Sequence, residues 1–216
     1  MRSTILILFL LIFTGCSFKT TPQDMWRKNA ATAFERYSDY YLKGETALAS
    51  ASLNSAIKNA KSSADLRPLS KIYLGTCALH IAVLIDDPCS EYKAIRDMLD
   101  PEHSSWDYYN MLQKNFDNIT IKNLPPQYGD FVTAMQKEDF QGAFQSIQKM
   151  PKTSSLLIAA SLMRKHLNES QIHEIINAAS FRGYKKAVVR WLGFLKEKSS
   201  GIKKQKIDKM LDLLTH

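Results

Sequence analysis

Between residues 24 and 42 the side chains Trp26, Ala30, Ala33, Phe34, Tyr37 and Tyr41 recur at intervals of three and four. That spacing lines them along one face of an α-helix. The same period runs through most of the chain, and no stretch alternates apolar and polar residues as a half-buried strand would. A chain patterned this way can bury its apolar side chains only by packing helix on helix. Glycine and proline are few, 8 and 7 in 216 residues, and most fall where the pattern breaks. Helices are predicted over 24–42, 45–60, 69–84, 90–99 and 104–116. Further helices follow over 127–137, 139–149, 153–166, 169–181, 183–198 and 202–214. Turns are expected near Gly44, Asp87, Lys137 and Gly183. Asp65 caps the third helix and Pro68 sits in its first turn. The segment "NLPPQYG" interrupts the pattern, so the helical domain, 24–216, reads as two halves joined near 117–127.

Three segments share a form: "GETALA" (44–49), "EDFQGA" (138–143) and "RGYKKA" (182–187), with "CSEYKA" (89–94) a looser fourth. A turn residue opens each, and an alanine follows five places later, small enough for two helices to approach closely. In "EDFQGA" Phe140 stands three places before Ala143. This arrangement resembles tetratricopeptide-like helical repeats, with a longer period than 34 residues and without the Trp/Leu/Gly signature of the first helix. The expected fold is all-α: antiparallel helical hairpins, as a tetratricopeptide-like array or a compact bundle.

The first residues carry a different signal. Arg2 precedes a nine-residue apolar run, "ILILFLLIF", which is too short to span a bilayer as a helix needing about 20 residues. Small residues then lead to a cysteine, in the manner of an export signal. Phe13-Thr14-Gly15-Cys16 resembles the lipobox of bacterial lipoproteins, with Phe13 where that family usually has leucine. The resemblance implies a signal peptide over 1–15, acylation of Cys16, and a short tether over 16–23. Two or more acyl chains anchor stably where one does not. Ser17 is not the aspartate that usually retains such lipoproteins in the inner membrane. The resemblance therefore implies the outer membrane, facing the periplasm, in a two-membrane host.

Charge is unevenly spread. Residues 182–216 hold ten basic and three acidic side chains, while 17–181 are balanced at eighteen of each. The basic end, with Lys185, Lys186, Lys203, Lys204 and Lys206, is a candidate contact for an acidic partner or an anionic envelope surface. It is also what a solvated helix face looks like. Trp191, Leu192, Leu195, Met210, Leu211 and Leu214 are expected to turn inward. Nucleic acid is not an expected partner of an exported lipoprotein.

No residue set forms a recognised catalytic or metal-binding motif. The histidines, His80, His103, His166, His173 and His216, show no H-E-x-x-H spacing. Cys77 and His80 lie three apart on one helix, within reach of a thiol–imidazole pair, but their neighbours are apolar and fit a packed cysteine and a core histidine. The acid pairs Asp86-Asp87 and Glu138-Asp139 stand at turns, where they cap helices and point apart. Trp106, Tyr108, Tyr109 and Phe116 read as core, with an exposed aromatic as the mark of a partner site. An oxidising compartment favours a Cys77–Cys89 disulfide, whereas about 10 Å of helix between Cys77 and the turn opposes it. The residues leave both outcomes open. No cofactor or metal is expected. The expected role is a lipid-anchored, non-enzymatic scaffold or assembly factor that binds a protein partner in a cell-envelope machine. The alternatives are an anionic polymer or lipid binder acting through the basic end, and an enzyme acting on peptidoglycan.

Overall fold

The structure, a computed structural model, describes residues 22–99 and 105–216. The leader, Cys16 and His103 lie outside the described residues. Among those residues there are eleven α-helices and no strand, so the fold is all-α. The helices are α1 (Pro22–Lys43), α2 (Thr46–Ala60), α3 (Arg67–Ala82), α4 (Ser90–Arg96), α5 (Ser105–Leu112), α6 (Gly129–Gln136), α7 (Phe140–Gln148), α8 (Thr153–Leu162), α9 (Glu169–Phe181), α10 (Lys185–Lys198) and α11 (Gly201–Thr215). Three short 3-10 turns fill 116–128 between α5 and α6. No described helix is long and apolar enough to cross a membrane.

Neighbours in sequence pair as hairpins: α1 with α2, α6 with α7, α9 with α10, and α10 with α11. Packing also joins elements from either side of the 3-10 stretch, α3 against α8 and α1 against α10. Helices α3, α8 and α10 all contribute to the main core, with Leu74, Leu157 and Trp191 fully buried. The side chains of α8 are apolar on nearly every side, as a helix enclosed by others requires.

Three hairpin turns are built alike. Gly44, Glu138 and Gly183 take a left-handed backbone, with φ of 87°, 54° and 67°. The next residue sends its N–H back to a carbonyl five residues earlier: Glu45 to Tyr40 at 2.9 Å, Asp139 to Ala134 at 2.9 Å, and Tyr184 to Ala179 at 3.0 Å. This closes the helix end on its otherwise orphaned carbonyls. Five residues after each left-handed position, or four after Gly183, an alanine is fully buried: Ala49, Ala143 and Ala187. The looser fourth segment differs, for Ala94 is exposed.

Several helices are shorter than their periodicity predicts. Helix α3 ends at Ala82 because Leu84 is left-handed, at φ 63°, and Ile85 N–H closes on His80 O at 3.0 Å. Helix α5 ends at Leu112 for the same reason, with Lys114 left-handed and Asn115 N–H bonded to Asn110 O at 2.9 Å. Helix α4 stops at Arg96, and α8 gives way to a 3-10 turn at Arg164–His166. Helix α1 is described from Pro22. Asp65 accepts Arg67 N–H at 3.0 Å just before α3. Met210 is 41 % exposed rather than inward; Ile207 is the buried residue of α11.

Candidate binding site

A cleft of about 660 Å³ opens between α1, α3, α5, the 3-10 stretch and α8. Its floor begins with a glycine. A Cβ on Gly75, in the middle of α3, would run into the Phe34 ring of α1. The absence of that carbon lets the ring lie against α3, and Leu74, Ala78 and Leu79 of α3 and Ile158 of α8 line the same cleft. A glycine inside a helix costs about 1 kcal/mol relative to alanine, and here the close approach of the ring accounts for it.

The far wall is irregular and is held by one buried acid. Asp107, 6 % exposed, accepts Thr120 N–H at 3.0 Å and Asn123 Nδ2 at 2.7 Å. Those bonds tie the 3-10 stretch to α5 and set Asn123, Leu124 and Pro125 along the rim. Below them the Tyr108 and Tyr128 rings meet at 5.6 Å between centroids. Burial is the main cause that pushes both phenols upward in pKa, and each lies beside the other, with Ser155 next to Tyr128. The mouth carries Lys71, Lys122 and Lys152, all exposed and without an ion pair among the described residues, and one acid, Glu35.

A second cleft, about 590 Å³, continues from the first, sharing Glu35, Ser38, Lys152 and Ser154 with it. It ends at Phe181, Arg182 and Tyr184. Phe181 is 90 % exposed, although it closes an otherwise amphipathic helix. Arg182 lies over the Tyr184 ring at 5.9 Å.

The cysteines and His80 meet in a separate cluster. Residues 85–89 turn back along α3 after Leu84, and Cys89 arrives with its Cα 5.2 Å from that of Cys77; the two sulfurs are bonded. His80 therefore has no thiol partner. Its Nδ1 instead meets the Asp87 carboxylate, whose other oxygen accepts Cys89 N–H at 2.6 Å. Gln113 Nε2 donates to the Asp87 carbonyl at 3.1 Å. Asp87 and both cysteine sulfurs lie within 4.8 Å of one another, but bonded sulfurs are not thiolate ligands. The adjacent Asp86 points away, to Arg164 at 2.8 Å and Lys114 at 3.5 Å, and Arg164 is the main cause that lowers its pKa. Asp139 caps α7 through Gly142 N–H at 2.9 Å.

The basic candidates do not converge. Lys185 and Lys186 open α10, whereas Lys203, Lys204 and Lys206 open α11, at the other end of a hairpin about 20 Å long. Lys186 is half-buried with Nζ 3.5 Å from the Tyr41 ring centre, and burial lowers its pKa. Lys203 is paired with Glu169. Among the aromatics, Tyr109 is buried, Tyr108 and Phe116 are half-buried, and Trp106 is 42 % exposed beneath Arg96. His166 stacks on Phe140 at 3.5 Å. The cleft itself draws on residues from 34 to 158, and its only local signal is the glycine inside a strong helix pattern.

No protein-family model, curated protein or solved structure matches this chain.

Proposed function

We propose that this chain is a lipid-anchored protein of the bacterial outer membrane that faces the periplasm. It acts there, without catalysis, as a scaffold or assembly factor binding a protein partner of an envelope machine. The address rests on "FTGC" and the apolar run before it. The binding role rests on Phe181: a phenyl ring 90 % exposed at the end of a groove, beside Arg182 and Tyr184. Aromatic and arginine side chains at a groove edge are the composition from which most interface energy comes. The test is photo-crosslinking in cells, with the probe at Phe181 and, as a control, at exposed Lys61 just after α2. A discrete product from Phe181 alone supports the reading. No product, or equal labelling from both positions, refutes it. Loss of membrane association in Cys16→Ser tests the anchor separately.

A second reading has its own support. Lys204, Lys206 and Lys209 are exposed and without an ion pair among the described residues, as an anionic polymer or lipid surface would need. Binding of that kind weakens steeply with salt, and binding at Phe181 does not.

A further inference from the structure

We propose that the 660 Å³ cleft binds a single-chain amphiphile, with its acyl tail on the apolar floor and its anionic headgroup among Lys71, Lys122 and Lys152. This goes beyond the scaffold role. It needs no protein partner and stands or falls without Phe181.

Three observations carry it. The volume lies within the range of roughly 300–1,000 Å³ usual for small-molecule sites. The floor is apolar: Phe34, Leu74, Ala78, Leu79 and Ile158. The lysines at the mouth outnumber the single acid, Glu35, and form no ion pair among the described residues. Lysine stems can lie over an apolar rim while their ammonium groups stay in water, which suits a headgroup held at the surface and a tail below.

The walls favour a lipid tail over a peptide. A peptide brings N–H and C=O groups that need partners once buried. Polar side chains lining this cleft already face partners: Asn123 bonds Asp107, and the hydroxyls of Tyr108 and Ser155 neighbour that of Tyr128. An acyl chain asks for no hydrogen bonds.

The experiment uses the full chain carrying Cys16→Ser, so that the protein bears no acyl group of its own. Calorimetric titration, below micelle concentrations, compares dodecanoate, monolauroyl phosphatidylglycerol, dodecan-1-ol and dodecyltrimethylammonium. The two anionic amphiphiles should bind one per chain, at least about tenfold tighter than the alcohol, or about 1.4 kcal/mol. The cation should bind more weakly still. Which anion binds more tightly distinguishes free fatty acid from membrane lipid as the source. The triple variant Lys71→Glu, Lys122→Glu, Lys152→Glu should erase the preference for anions. Gly75→Ala should push the Phe34 ring into the tail space and weaken all four ligands. Lys204→Glu, on distant α11, should change nothing. The three lysines are exposed, so that arm remains decisive even where Gly75→Ala impairs folding. Failure of both anions to saturate, equal affinity for anion and alcohol, or an unaltered preference in the triple variant overturns the proposal.

Discussion

Replacing Glu138 with glycine should stabilise this protein. Glu138 holds φ at 54° in the turn between α6 and α7, where a Cβ crowds the following carbonyl. The left-handed backbone costs an ordinary residue roughly 1–2 kcal/mol. Glycine removes that crowding but has more freedom to lose on folding, which returns about 0.5–1 kcal/mol. The Glu138 side chain is exposed and makes no ion pair among the described residues, so little else is lost with it. The net gain should be about 0.5–1 kcal/mol, a rise in Tm of roughly 1–4 °C for a chain of this size. Urea unfolding followed by circular dichroism measures it as a higher midpoint at unchanged slope. Glu138→Val should move the midpoint the other way, because a β-branched residue tolerates this backbone least. A lower midpoint for Glu138→Gly would mean that the turn is not left-handed, and the shared design of the three hairpins would fall with it.

Removing the Cys77–Cys89 bond by a double alanine substitution should cost about 3 kcal/mol, the loop-entropy value for a separation of 12 residues; calorimetry with and without a reductant should agree with the variant. Ser161→Ala should stabilise by about 1 kcal/mol, since the Ser161 hydroxyl is fully buried and has no hydrogen-bond partner among the described residues; a loss in chemical denaturation would reveal a partner. Asp65, bonded chiefly by the Arg67 side chain, has its pKa lowered from 3.8 to about 2. A depressed carboxylate stabilises the fold above its unfolded pKa and loses that contribution as pH falls towards 2. Arg67→Ala should therefore flatten the acid limb of the stability curve between about pH 4 and pH 2, and an unchanged limb would refute the pairing.

Turns show where local reading stops. Gly44 and Gly183 announce their hairpins, because glycine takes the left-handed backbone without a steric cost. Leu84, Lys114 and Glu138 take the same conformation against their own preference. The turn at Glu138 is foreseen near Lys137 from the break in the pattern, but nothing local marks Leu84 or Lys114, and the helices before them accordingly end earlier than their apolar period suggests. The cysteine pair stayed undecided in sequence for the same reason: the path of residues 85–89 depends on the turn at Leu84.

Periodicity alone determines that this chain is helical and which faces of most helices turn inward, because a helix face is set by spacing within one segment. Composition likewise locates the basic end. Only the tertiary structure decides that Cys77 meets Cys89, that Lys186 lies on Tyr41 while Lys203 pairs with Glu169, and that a cleft opens over Gly75. Each of these joins side chains from different elements. Their meeting follows from how helices cross and where the chain reverses, which no single segment encodes.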